Sequence, residues 1–474
     1  MTIVTAPASY LSRLHPGSGV RLAPSPPRAW WARAAIGLAA GSLVVAAGLW
    51  VAGGGLPDLS TAPLTSLGRL TGLVASDLLL VQVLLMARIP WVERSFGQDM
   101  LARRHRTVGF TSFWLMIAHI GLITVGYAAA DSSGALNEAW QLVTTAPGML
   151  LAAAGTAALV VVVALSVLAA GRRLRYESWH LIHLYAYLGV GLALPHQLWN
   201  GNEFTSSPVA RAYWWCAYLL TVGAVLVCRL GLPAWRTLYH QLRVSAVVVE
   251  APGVVSVYFT GRNLLRLPVT AGQFFCWRFL DGPGWSRAHP YSLSAAPRSD
   301  WLRITVKDVD GSGRLARLRP GTRVLIEGPY GVLTGARRKR SRVLLAAAGV
   351  GITPLRALLD ELTAAPGEIT LLYRVTSRAR ALFGRELEVI AAARGVRLCY
   401  LEGPRATGSA AWLPTQLTGP GGAEVLRRLV PDLAGHDVFL CGPAPWTGAL
   451  RASLEWAGVP ASQVHTEQFT WLEP

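Results

Sequence analysis

Four histidines offer the clearest chemistry in the chain. His105 and His119 lie 14 residues apart, the second inside a long uncharged run. On a helix, 14 residues rise about 21 Å and stop about 40° short of whole turns. Their imidazoles then face nearly one way at opposite depths. His183 and His196 lie 13 apart inside another such run, about 19.5 Å of helical rise. One apolar run, 147–170, separates the two, so both would cross a bilayer in the same direction. His105 then matches His183 in depth, and His119 matches His196. Each pair could clamp a planar metal macrocycle between two imidazoles, giving two stacked b-type haems as a wire across the membrane. A single intramembrane His would read as a packing residue; two depth-matched pairs favour haem.

The second run fits less cleanly. Thirteen residues turn about 220° on an ideal helix, so Pro195 is expected to kink or rewind it. His180 competes with His183 as the inner ligand, though its gap to His196, about 24 Å, matches His105–His119 less well. Arg69 is a charge inside a span, which is costly and marks a partner or cavity. It lies at the depth of the outer pair. It could meet a haem propionate or an anionic acceptor, snorkel, or pair with Asp77 across about 12 Å.

These residues need helices to hold them. The chain has 474 residues, 52% hydrophobic and 15% charged, with a net charge of +18. Soluble domains average about 25% charged residues, so one soluble domain is excluded, and the apolar content excludes disorder. Residues 34–53, 108–130, 147–170, 179–199 and 212–228 contain no Asp, Glu, Lys or Arg; 64–86 is interrupted only by Arg69 and Asp77. Each is about the length that spans a bilayer. Six transmembrane helices are predicted. Twelve arginines (13, 21, 28, 33, 88, 94, 103, 104, 106, 172, 173 and 175) flank one side, against Arg211 on the other. Basic residues stay inside. The N-terminus and the C-terminal half are therefore expected in the cytoplasm, beneath the plasma membrane. This topology explains the basic excess better than nucleic acid does. Residues 1–28 read as a disordered cytosolic lead, and the first span as a retained helix rather than a cleaved signal.

The later residues change pattern. Runs 243–250, 254–260, 273–280, 302–307 and 323–327 are short and β-rich, predicting an antiparallel barrel. From 342 to 457, four strands alternate with helices, predicting a parallel sheet. Gly349-Val350-Gly351-Ile352-Thr353-Pro354 joins a strand to a helix, where backbone N–H groups can meet a pyrophosphate. Cys441-Gly442-Pro443 ends a later strand. In the barrel, His289-Pro290-Tyr291-Ser292 offers a ring to stack on a flavin and a hydroxyl to bond it. Gly311-Ser312-Gly313-Arg314 offers N–H groups and a cation to phosphates. Arg374, Ser377 and Arg378 follow the second strand of the sheet. An acid there would favour NADH; basic residues favour the 2′-phosphate of NADPH, with NADH the alternative. The other cysteines, Cys216, Cys228, Cys276 and Cys399, show no C-x-x-C spacing, so neither a zinc site nor an iron–sulfur cluster is signalled.

Gly272-Gln273-Phe274, His289–Ser292, Glu327-Gly328-Pro329-Tyr330-Gly331, Gly349–Pro354 and Cys441–Pro443 occur in this order. They resemble the ferredoxin-NADP reductase superfamily. With the four-histidine helical half, the chain from about 29 onward resembles the ferric reductase/NADPH oxidase family. His289, where other flavin reductases carry Arg, is typical of that membrane family. The resemblance implies that His289, Pro290, Tyr291, Ser292, Lys307, Gly313, Arg314 and Leu315 hold FAD. It implies that Gly349, Gly351, Thr353, Cys441, Gly442 and Pro443 hold the nucleotide. Phe469 resembles the C-terminal aromatic that covers the flavin, with Trp471 its competitor. Three departures stand out. Related soluble reductases add a Cys-rich iron–sulfur domain, and none is seen here. Animal NADPH oxidases have a histidine where this chain has Ile123, and Trp446 replaces a common Met.

The expected architecture is a six-helix transmembrane bundle (29–240), an FAD-binding antiparallel β-barrel (241–333) and an α/β NAD(P)H-binding domain (334–474). The expected function is electron transfer from cytosolic NADPH through FAD and two haems to O2 or a ferric chelate outside. No side-chain acid, base or nucleophile is needed. Two rivals are a six-span transporter with a nucleotide-sensing tail and a non-catalytic cytochrome fed by a partner.

Overall fold

The computed structural model describes residues 29–172, 176–205, 207–308, 313–419 and 421–467; the side chains at 29, 169–172, 176–180, 202 and 409 lie outside the description. Phe469, Trp471, Gly311, Ser312 and the lead 1–28 are therefore outside it too, as is the His180 side chain. Two compact units meet in sequence at Val227 and Cys228, and the short segment Glu93–Gln98 groups with the second.

The first unit is helical. Its long helices are α1 (Ala29–Ala52), α2 (Pro63–Leu85), α3 (Gln98–Ala130), α4 (Met149–Arg172), α5 (Tyr176–Asn200) and α6 (Pro208–Val225). Among the described residues, five stretches are long and apolar enough to cross a membrane: Trp30–Ala52, Pro63–Leu85, Gln98–Ala130, Met149–Leu168 and Pro208–His240. The remaining expected span falls on α5, which is not among the five. Leu38, Val44, Leu150 and Leu220 each lie about 70% exposed. That outward apolar surface is unfavourable in water and suited to hydrocarbon. Glycines let α4 and α5 touch: a Cβ on Gly189 would sit 3.0 Å from the Gly155 carbonyl oxygen. Helix α5 runs on through Pro195. After α6 the ladder widens into a π turn, Leu226–Gly231, just before Pro233, whose missing N–H breaks the α pattern. The helix Ala135–Thr145 is an addition to the predicted set.

The second unit holds two layered parts. Strands β1 (Arg243–Ala251), β2 (Val254–Thr260), β3 (Phe274–Phe279), β4 (His289–Ser292), β5 (Leu302–Lys307) and β6 (Val324–Tyr330) form two three-stranded antiparallel sheets, β1-β2-β5 and β4-β3-β6. Bridges Arg243–Arg323 and Leu293–Ile304 join them. Strand β3 shows the period-two logic. Phe275, Trp277 and Phe279 are buried in the barrel core, and the residues between them face out.

Strands β7 (Arg342–Ala348), β8 (Ile369–Val375), β9 (Arg397–Glu402), β10 (His436–Cys441) and β11 (Val464–Glu467) form one parallel sheet in the order β11-β10-β7-β8-β9. Helices α7 (Ile352–Glu361), α8 (Gly384–Arg394), α9 (Gly422–Leu429) and α10 (Ala444–Trp456) connect them. β8 is buried at every position, as a parallel strand covered on both faces must be.

At the end of α7, Glu361 accepts the Ala271 N–H at 2.8 Å. Burial raises its carboxyl to about 7. A raised acid favours the folded state only while protonated. Wild-type stability should therefore fall as pH rises from about 4.5 to 7, by at most about 1.4 kcal/mol per pH unit. Glu361→Gln should flatten that slope in thermal melts taken across this window.

Candidate functional site

The histidine pairing emerges in the first unit. The His105 and His183 rings lie 5.9 Å apart, at 71°. Imidazoles bound on opposite sides of one metal, with nitrogens ~2 Å from it, would place their centroids about 6 Å apart. His119 and His196 are near enough to interact electrostatically. His105 Nδ1 lies 3.0 Å from the Gln82 carbonyl oxygen. His119 Nδ1 lies 2.8 Å from that of Gly68, and His196 Nδ1 2.5 Å from that of Ala193. A carbonyl only accepts, so Nδ1 carries the proton and Nε2 keeps its lone pair. Metal-ligating histidines are oriented in this way. Among the described residues, no three His, Cys, Asp or Glu side chains gather into a metal site. Two imidazoles alone leave a bare ion short of ligands. They suit a metal whose equatorial positions a macrocycle already fills.

Helix α2 positions His119 through two glycines. Gly68 lends its carbonyl, and a Cβ on Gly72 would lie 2.6 Å from His119 Nδ1. The G-x-x-x-G spacing of 68–72 was the available signal for this close approach. Asp77 is not the partner of Arg69. It accepts from Ser42 Oγ at 3.0 Å and Tyr213 OH at 3.4 Å. Arg69 instead binds Asp58 at 2.7 Å, Glu203, and the Gly53 carbonyl at 2.7 Å. No sequence spacing advertises Glu203, which is 134 residues away.

In the barrel, β4 pairs with β3, bringing Tyr291 opposite Phe275 and His289 opposite Trp277. The His289 and Tyr291 rings share a face, 5.7 Å apart and 7° from parallel. Trp277 Nε1 donates to the Tyr291 carbonyl at 2.9 Å. Ser292 Oγ is buried without a hydrogen-bond partner among the described residues. A hidden hydroxyl without a partner is costly, and a ligand would relieve it. Lys307 is exposed at the end of β5. The Gly313 N–H donates to Asp308 at 2.6 Å, and Leu315 opens a short turn. Arg314 is engaged by Asp281, with Nε 3.1 Å from Oδ2. That bond holds the Asp281 carboxyl below its usual range.

In the sheet, β7 and β10 are neighbours from which the chain proceeds in opposite directions. Such a switch point opens a crevice at the strand ends. Gly349–Gly351 and Cys441–Pro443 both lie there. A Cβ on Gly351 would lie 2.8 Å from the Gly442 nitrogen, so only glycine lets the loops close. Thr353 Oγ1 is turned inward, donating to the Val350 carbonyl at 2.9 Å. Cys441 is fully buried, which pushes its thiol up and leaves it un-nucleophilic. Arg374 departs from the expected basic cluster. It is interior, donating to the carbonyls of Leu401 at 3.1 Å, Gly403 at 2.8 Å, and Val375. Its side chain comes off the fully buried β8, so it ties β8 to the chain around β9 rather than facing solvent. Ser377 precedes the turn Arg378–Arg380. Arg378 is exposed, pairs with Glu388 at 2.7 Å and lies 5.0 Å from the Tyr400 ring.

Comparisons with known proteins fit both units. Residues 71–194 match the family described as ferric reductase like transmembrane component. A 244-residue stretch is 32% identical to the ferredoxin reductase component of 3-ketosteroid-9-alpha-monooxygenase from Mycolicibacterium smegmatis, covering 49% of this chain and 66% of that protein. The Mycobacterium tuberculosis H37Rv protein of the same description is 35% identical over 214 residues, covering 44% and 57%. A flavohemoprotein of Chromobacterium violaceum is 30% identical over 257 residues, covering 50% and 61%. This chain fuses a ferric reductase-like membrane component to a ferredoxin-reductase-type module. It spans just under two thirds, or less, of each of these relatives.

Two glycines test the packing. Gly72→Ala should destabilise the helical unit by about 1–3 kcal/mol, read as a lower Tm in detergent. Gly351→Ala should raise the KM for the nicotinamide nucleotide about tenfold, an effect of ~1.4 kcal/mol.

Proposed function

We propose that this fusion draws electrons from cytosolic NADPH and delivers them, across a membrane crossed by six helices, to an acceptor on the external face. The facing imidazoles of His105 and His183, 5.9 Å apart, carry the reading. They match what one bis-histidyl haem requires, and His119 with His196 would hold a second. His289–Ser292, Lys307 and Gly313–Leu315 would hold FAD. Gly349, Gly351, Thr353 and Cys441–Pro443 would hold the nucleotide. Bound there, FAD would convert a two-electron hydride donor into a one-electron source, and the haems would relay single electrons.

The chain's own residues orient and tune these groups. Backbone carbonyls fix three imidazoles with Nε2 free. The buried Ser292 hydroxyl is the natural donor to a flavin ring. Phe469 would cover that ring. With Arg374 interior, Ser377 and Arg378 are left to meet a 2′-phosphate. The triad of Arg69, Asp58 and Glu203 places fixed charge near His119, since Glu203 acts electrostatically on that ring. The ferredoxin reductase and flavohemoprotein relatives support the flavin half. The ferric reductase-like match supports the membrane half. O2, giving superoxide, and ferric chelates are the two acceptors.

Purified protein given NADPH should show the spectrum of a reduced b-type haem. The double change His119→Ala, His196→Ala should remove about half of it; an unchanged spectrum would overturn the assignment. Superoxide formation against ferric reduction, in the same preparation, decides the acceptor. Arg378→Ala should raise the KM for NADPH about tenfold and leave that for NADH unchanged.

A further inference from the structure

We propose that Glu386 is a positioning residue for the flavin-side strand, acting through Arg303 and Ser294 from the nucleotide-binding sheet onto the barrel. The inference rests on reading the barrel as the flavin site.

Arg303 lies on β5 of the barrel and is 1% exposed. Glu386 lies in the first turn of α8, in the other layer. Its two oxygens accept from the two terminal nitrogens of Arg303, both at 3.2 Å. This is the bidentate fork, the geometrically specific form of the ion pair. The same carboxylate pairs with Arg356 of α7, which also pairs with Asp360. Two buried guanidinium groups thus share one carboxylate, with Asp360 beside them. Both guanidinium groups hold the Glu386 carboxyl below its ordinary range, against the opposing effect of burial.

Arg303 also grips Ser294 twice. Nε donates to Ser294 Oγ at 3.0 Å, and a terminal nitrogen to the Ser294 carbonyl at 2.7 Å. The Ser294 N–H in turn donates to the Arg303 carbonyl at 2.8 Å. Thr305 Oγ1 donates to Ser294 Oγ at 2.8 Å. Ser294 therefore has no freedom while Arg303 is held. It is two residues beyond Ser292, the hydroxyl left buried for a flavin. Nearby, the Ala296 N–H donates to Asp360 at 3.2 Å, so the same cluster grips the segment again. Removing the Glu386 charge takes away the carboxylate shared by two buried guanidinium groups, which is strongly unfavourable. Arg303 must then move, and Ser294 with it.

The test uses the full chain in detergent, with Glu386→Gln, Glu386→Asp and Ser294→Ala. Flavin-depleted protein is titrated with FAD by fluorescence, and amide hydrogen exchange is followed over 289–296 without flavin. Glu386→Gln should weaken FAD binding about tenfold and speed exchange in 289–296. The KM for NADPH should stay within twofold. Ser294→Ala should do the same more mildly, and Glu386→Asp should recover most of the affinity. Unchanged FAD affinity and exchange in Glu386→Gln would overturn the proposal. So would faster exchange throughout β7–β10 with an equal rise in KM, which marks a mere domain latch. A wild type that binds no flavin would sink the flavin reading. The flavin-free exchange then judges the Glu386 coupling by itself.

Discussion

A buried imidazole must put its N–H somewhere. In a helical bundle facing hydrocarbon there is no water to take it, and almost every carbonyl already receives a helical N–H. A carbonyl oxygen has a second lone pair, however. Gln82, Gly68 and Ala193 spend theirs on His105, His119 and His196. That one bond fixes the tautomer, the ring plane and the nitrogen that faces inward. The rest of the helical unit follows from reaching those carbonyls. Helix α2 must pass close to α3, so it carries glycine at 68 and 72. Its one cation, Arg69, must find carboxylates, and it finds them outside its own helix.

The second unit meets the same demand in the opposite way. Its interior cations find their main partners within the fold. Arg303 and Arg356 share Glu386, and Arg374 is surrounded by backbone carbonyls. These arginines stiffen junctions between strands and layers. The positions facing the crevice are instead small or backbone-lined, as at Gly349–Gly351 and Gly442. Stability and ligand approach are thus assigned to different residue types.

Much of this was legible in the chain. A short β-rich run announced β3, and strands alternating with helices announced β7 and β8. Histidine spacing matched His105 with His183, because helical rise is a fixed length per residue. What escaped notice depended on tertiary partners. β4 and β11 span only four residues each, too short for any period to register. The helix Ala135–Thr145 was hidden in what read as a loop. Arg374 read as a surface cation because strand membership alone does not say which carbonyls a long side chain will reach. Glu203 carried no signal, since its importance comes only from where α2 places Arg69.

The interior position of Arg374 separates two properties that sequence alone would merge. If nucleotide choice rests on Arg378, it rests on an exposed side chain whose contacts, Glu388 and the Tyr400 ring, lie at the surface rather than inside the sheet. Preference between the two nicotinamide nucleotides could then drift in a lineage by surface substitution alone. The arginine four residues earlier would meanwhile stay invariant for the sake of the sheet. Two basic residues that look like one motif would follow unrelated histories.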